Sequence, residues 1–402
     1  MKILLVTDQF FAANNGTTIS SRRFAQVLRQ HGHQVRVAAA GTEAMAREDP
    51  LGEDAYLFQE LTVPGFGGLI HAQGMVFAKP DDALLERAVA WADVVHFLMP
   101  FALSHHGIAI ARRLGTPYTA AFHVQPENIT SSIHLGKCGG INTLIYRWFH
   151  HYIYRWCGHV HCPSRFIAGE LEKHGYRAQL YVISNGVDPD FSPAVHPPRE
   201  WNPVKEKGRF TVLMIGRFSV EKRQDVLLRA VARSRYREKI ELVLAGKGPR
   251  EKALRSLAEK LGVPVTMRFF SKEELIGQIA RSDLYVHAAD VEIEAMSCME
   301  AFACGLVPVI ADSVKSATPQ FALDDRSLFE AGNDRELSER IDYWIEHPKE
   351  RCEMEARYGE LGRNYSLDAC VRRAEEMFHQ AITDCAPEPS ARQEEQAWNP
   401  ER

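Results

Sequence analysis

A chain of 402 residues is long enough for two domains, each burying its own core. Its 45% hydrophobic and 25% charged residues are those of a soluble globular protein, and a formal net charge of −4 gives no general attraction for nucleic acid. No apolar run is as long as a bilayer span, the opening run 1–10 is too short for a signal segment, and the eight cysteines never form C-x-x-C; free thiols of a cytoplasmic protein explain them better than a disulfide frame or a zinc site.

Residues 2–7 form a buried strand by their run of Ile, Leu and Val. A polar loop with Asn14, Asn15 and Gly16 then enters a helix from Thr17 or Thr18 to Gln30, and 34–40 is the next strand. The glycine at the helix entrance lets backbone come close to a diphosphate on that N-terminus, although a plain strand–helix turn has the same pattern. Strands at 94–98, 118–123, 160–163 and 180–184 alternate with helices, which predicts a doubly wound parallel sheet. His123 stands at the carboxyl end of its strand, where open parallel sheets bind ligands; a histidine bonded to a nearby carbonyl is the plainer alternative.

Residues 128–169 hold no Asp or Glu, but Lys137, Arg147, Arg155, Arg165 and five histidines. Within them Ile141, Leu144, Ile145, Trp148, Phe149, Tyr152, Ile153 and Trp156 recur at helical spacing. That stripe is assigned to the core. Tyr146, Arg147, His150, His151, Tyr154 and Arg155 make the opposite face, which with the loop 134–140 is the surface suited to an anionic membrane. Pro193, Pro197, Pro198 and Pro203 then mark 190–208 as an interdomain linker.

The second half opens with a strand at 210–215, followed by Gly216, Arg217 and Lys222. Two cations at a strand end suit a diphosphate, with a solvated charge cluster as the alternative. A strand at 240–245 ends in a tight turn at Gly246, and a strand at 265–270 leads to Ser271 and a helix from Lys272. After a strand at 284–288 come Glu292 and Glu300, with seven residues between them. The first acid lies in a loop and the second in a helix spanning 299–304, before a strand at 307–311. A short strand at 328–330, helices to Arg363, a final helix at 367–383 and a polar tail complete the chain.

The ordered set Gly-Arg-Phe-x-x-x-Lys (216–222), Leu-Ala-Gly-x-Gly-Pro (244–249), and Glu292 and Glu300 running into EAFACGLVPVIA resembles glycosyltransferase family 4. Gly16, His123 and SNGVD at 184–188 agree with it. The resemblance implies a retaining enzyme of the α/β GT-B fold, two Rossmann-like doubly wound domains facing across a cleft. An acceptor-side domain would cover 1–189, the linker 190–208, a nucleotide-sugar domain 209–366, a helix crossing back 367–385, and a disordered tail 386–402. It implies that Arg217 and Lys222 hold the diphosphate and stabilise its departure, that Gly16, Gly216 and Gly246 let backbone approach the donor, and that Glu300 holds the ribose. Glu292 would hold the donor sugar, His123 would lie near the reacting centre, and backbone near Phe270 and Ser271 would meet the base.

Where the family often has Gly-Phe-Gly, this chain has Ile293-Glu294-Ala295. The amides of Ala295 and Met296 that greet the donor are thereby altered, and Glu294 either binds a sugar hydroxyl or faces solvent. No metal or other cofactor is implied, and no Asp-x-Asp metal motif is assigned. The segments 122–130 and 292–310 are similar to bacterial glycolipid-forming members. That similarity implies UDP-glucose or UDP-galactose as donor, a membrane lipid such as diacylglycerol or ceramide as acceptor, and a cytoplasmic protein with peripheral contact at the inner face of the cell membrane. The alternatives are a soluble or polysaccharide acceptor, or a nucleotide-sugar epimerase or hydrolase on the same fold.

Overall fold

The computed structural model describes residues 1–11, 16–61, 76–132, 139–195 and 208–385. Expectations for Asn14, Asn15, residues 134–138, the linker at 196–207 and the tail at 386–402 lie outside the described residues.

Two parallel sheets carry the chain. The first runs β1 (Lys2–Gln9), β2 (Gln34–Ala40), β3 (Tyr56–Phe58), β4 (Val94–Phe97), β5 (Tyr118–Ala121), β6 (His159–Cys162) and β7 (Gln179–Val182), in the order β3-β2-β1-β4-β5-β6-β7. The second runs β8 (Phe210–Ile215), β9 (Ile240–Ala245), β10 (Val265–Arg268), β11 (Leu284–His287), β12 (Pro308–Asp312) and β13 (Leu328–Glu330), in the order β10-β9-β8-β11-β12-β13. Helices cover both faces, so β4, β6, β8 and β11 are buried along their whole length, the histidines of β4, β6 and β11 included. The strand order reverses between β1 and β4, and between β8 and β11. At such a switch point the loops diverge and leave a crevice at the carboxyl ends of the strands.

The last helix, Leu367–Cys385, returns to the first sheet. Its Leu367, Val371, Met377 and Phe378 share a core with Ile3, Leu5, Phe24 and Val37. The chain crosses between lobes twice at one place, where Val187 N–H donates to Tyr365 O at 2.7 Å and Leu367 N–H to Val187 O at 3.1 Å. Gly186 makes this possible: its φ is +74°, and a Cβ there would lie 2.7 Å from Leu367 Cα. Val187 and Phe191 already pack into the second lobe's core.

The basic-aromatic segment corrects one expectation. The helix Gly139–Tyr152 is followed by a 3-10 turn, Tyr154–Trp156, which breaks the phase of the apolar stripe. Tyr146, Phe149, Ile153 and Tyr154 are buried, whereas Leu144 is 62% and Trp148 49% exposed. Tyr146 turns inward because its ring stacks on Phe122 at 5.8 Å and its hydroxyl reaches Glu127, so the "polar-face" tyrosine satisfies both its ring and its oxygen inside. Tyr154 does the same, its hydroxyl donating to Ala121 O at 2.8 Å. Leu144 and Trp148 are left outside beside exposed Arg147 and His151.

Candidate active site

The pairing of β8 with β11 brings the two loops that carry the charged residues together. The loop after β8 is braced by the one after β9: Gly216 N–H donates to Ala245 O at 3.0 Å and Phe218 N–H to Lys247 O at 3.1 Å. Gly246 is needed here, since a Cβ would stand 2.0 Å from Gly216 O. Its bare Cα thus serves loop-on-loop packing that fixes Gly216 and Arg217. Lys222 Nζ meets Glu292 Oε1 from the loop after β11. His287 Nε2 lies 3.0 Å from the same oxygen, and its Nδ1 is 3.0 Å from the Tyr285 hydroxyl. Burial pushes the Glu292 carboxyl up, but the Lys222 charge and His287 outweigh it and hold the group at about 2. Glu292 is therefore ionised, and Lys222 is held as its counter-ion.

Helix Met296–Ala303 begins three residues earlier than the sequence predicts. Ala295 sets the start, in the left-handed region at φ +67°, where the family often has glycine. Glu300 projects from this helix toward the first lobe, and Arg23 from helix Gly16–Gln30 meets it at 2.9 Å. A Cβ built on Gly16 would lie 4.0 Å from Met296 Sδ, so the first helix opens directly onto the second lobe. Burial raises the Glu300 carboxyl, and Arg23 only partly offsets it. Arg23 Nε is 3.7 Å from Asp188, while its Nη1 is buried with no hydrogen-bond partner. An Asp-x-Asp does occur at Asp188-Pro189-Asp190, where none was expected, and Lys272 bridges the two carboxylates at 2.8 and 2.7 Å.

The departure at 293–295 turns Ile293 and Glu294 to the first lobe, while Ala295 packs in the core of the second. Ser164 Oγ donates to Ile293 O at 2.6 Å, and Glu294 accepts from Asn185 N–H at 2.9 Å and Asn185 Nδ2 at 2.7 Å. Glu294 therefore does not face solvent. Only 3% exposed, it ties the lobes together, and burial lifts its carboxyl to about 7 against the bonds from Ser184 and Asn185.

His123 lies just beyond β5, buried, with His161 edge-on at 5.1 Å. Burial, then the neighbouring His161, keeps it well below the usual imidazole range, so it is neutral at pH 7. Phe270 is buried under the Arg268 guanidinium at 3.8 Å, and Ser271 caps helix Lys272–Arg281 in a capping box with Glu274. The geometry thus gathers Gly16, Lys222, Glu292, Met296 and Glu300 around the inter-lobe crevice, with Arg217 at the end of β8. Arg23, Asn185, Lys272 and His287 were missed in the sequence, because each is defined by a partner more than a lobe away or by a strand neighbour.

Two family profiles match this chain: Glycosyltransferase Family 4 over residues 14–191 and Glycosyl transferases group 1 over 199–364. The chain belongs to glycosyltransferase family 4. Its fold is GT-B: the chain superposes on Anabaena Alr3699/HepE in complex with UDP-glucose at TM-score 0.72, with 17% identity, covering 94% of this chain and 100% of that one. This family-4 chain is 26% identical over 325 residues to alpha-monoglucosyldiacylglycerol synthase of Streptococcus pneumoniae, covering 77% of this chain and 71% of that protein. It is also 50% identical to the catalytic domain of cholesterol-alpha-glucosyltransferase from Helicobacter pylori, which covers 39% of this chain and 99% of that one at TM-score 0.38.

Proposed function

We propose that this glycosyltransferase moves a hexose, with retention of configuration, from a UDP-sugar (UDP-glucose or UDP-galactose) to a hydroxyl of a membrane lipid such as diacylglycerol or ceramide, giving an α-glycolipid. The observation that carries the transfer is the crevice itself: Lys222 pairs with Glu292 on one wall, near Arg217, and the Gly16 helix N-terminus of the other lobe meets Met296, four residues beyond Glu292. The donor's diphosphate lies between those cations and that helix end, with Glu300 on the ribose and Glu292 on the sugar. The acceptor oxygen attacks the anomeric carbon on the face from which the diphosphate leaves. The C–O bond to phosphate breaks as the new one forms, and a phosphate oxygen takes the acceptor proton. Arg217 and Lys222 stabilise the developing charge without a metal, and lobe closure excludes water.

The lipid acceptor is supported by the exposed pair Leu144 and Trp148, one helical turn apart and flanked by Arg147, His151 and Arg155. Apolar side chains among cations suit the interface of an anionic bilayer. No helix among the described residues is long and apolar enough to cross a membrane. The pneumococcal relative is an alpha-monoglucosyldiacylglycerol synthase, a transferase to a lipid of this kind.

The test is incubation with UDP- and GDP-sugars and a panel of diacylglycerol, ceramide, sterol and soluble saccharide, with the product's anomeric configuration read by NMR. An α-linked glycolipid is expected. Product on the soluble saccharide alone would favour the second acceptor class, and a changed sugar without any acceptor an epimerase. Partition onto phosphatidylglycerol vesicles is expected to fall several-fold in Trp148→Ala and in Arg147→Gln/Arg155→Gln. Unchanged partition would remove the membrane contact from the proposal.

A further inference from the structure

Against the Glu294 loop lies a cavity of about 250 Å³ that Lys222 does not line. Its walls come from three parts of the chain. Ser164, Arg165 and Ser184 belong to the first lobe, Glu294 and Gln320 to the second, and Tyr365 and Arg373 to the segment that crosses back. Arg165 and Arg373 are the cations in this wall, and Glu294 is its sole carboxylate. Among the described residues neither guanidinium has a hydrogen-bond or ion-pair partner. Tyr365 lines the same wall, where burial and Glu294 raise its phenol and both guanidinium charges partly offset them. The carboxylate does not cancel them, because Glu294 is already engaged by Asn185 and burial favours its neutral form up to about pH 7.

We propose that this cavity binds a phosphate-type oxyanion, gripped by Arg165, Arg373 and Tyr365, and that its occupant braces the closed arrangement of the lobes. A guanidinium fork matches a pair of phosphate oxygens with two parallel N–H donors, and the phenol adds a further donor. The space exceeds one anion; at roughly 30 Å³ per water it also holds several solvent molecules, so the ligand is partly hydrated. Closure follows from placement: a ligand touching Arg165, Arg373 and the Glu294 loop binds only when the two lobes and the crossing segment are together, and binding to that state alone stabilises it. The site is separate from the donor crevice and does not depend on which sugar or acceptor is used.

Free phosphate and a phospholipid headgroup offer the same chemistry, and two arms separate them. In the first, inorganic phosphate is titrated against chloride of equal ionic strength, with UDP saturating so that the donor crevice is filled, and the melting temperature is followed. In the second, phosphatidylglycerol vesicles replace the phosphate. A saturable rise of several degrees is expected in one arm, lost in Arg165→Gln/Arg373→Gln. The rise caused by UDP itself stays unchanged in that variant, which reports the catalytic crevice independently. Both arginines are exposed and, among the described residues, unpaired, so the variant's melting temperature in chloride is expected to match the parent's. A rise that survives the double substitution, or no saturable rise in either arm, would overturn the site.

Discussion

Replacing Lys222 by alanine is expected to lower turnover by about 10²–10³, the usual cost of deleting one preorganised charge-stabilising donor, while UDP affinity falls far less. The reason lies in the Lys222–Glu292 pair. Lys222 is the main influence holding Glu292 ionised against its burial. Without the ammonium, an acid buried at the crevice wall faces the departing diphosphate with His287 alone beside it. The cradle then loses a positive charge, burial lifts the acid toward its neutral form, and the loss acts most where leaving-group charge is greatest. Arg217→Ala is expected to act in the same direction. Initial rates give kcat and calorimetry gives the UDP Kd. Equal losses in the two would show that the lysine serves ground-state binding only.

Replacing Glu294 by glutamine is expected to stabilise the protein at pH 8 and leave it unchanged at pH 4. The carboxyl titrates near 4.5 in the unfolded chain and near about 7 in the folded one. Between those values the native state keeps a proton that the unfolded state has lost, so this group's stability is intact below 4.5, declines as pH rises and is level above 7. A difference of 7 − 4.5, about 2.5 units at roughly 1.4 kcal/mol each, amounts to about 3 kcal/mol for a fully buried group. Glutamine keeps an acceptor for both Asn185 donors and carries no charge to desolvate. Asp8, also buried and pushed up to about 7, keeps its own decline in the variant, so the pH slope is reduced and not abolished. Urea midpoints at pH 4 and 8 check this. An advantage for glutamine that is equal at both pH values would remove the ionisation from the explanation.

The sheets were legible because parallel strands buried on both faces are written as short, nearly pure runs of Val, Ile and Leu, such as 210–215 and 240–245. The meeting of Lys222 and Glu292 was legible because each lies in a loop after a strand, and strand order then brings 222 beside 292. Helical phase was read less well. Between 141 and 156 the apolar count placed Leu144 and Trp148 inside and Tyr146 and Tyr154 outside, yet aromatic stacking and a 3-10 turn decide the reverse. A tyrosine counts as half polar in a pattern but packs as a large ring when its hydroxyl finds a carboxylate or carbonyl. Contacts between lobes were invisible. Nothing near Arg23 in sequence announces Glu300, and the family-altering Glu294 makes sense only beside Asn185.

The central claim is that the donor's diphosphate sits between the lobes on Arg217 and Lys222. A crystal structure with an intact UDP-sugar tests it most directly. The account predicts phosphate oxygens within hydrogen-bond reach of both cations, ribose hydroxyls at Glu300 and the sugar at Glu292, with Lys222 shared between acid and phosphate. Donor density outside the crevice, or phosphates out of reach of Arg217 and Lys222, would contradict it.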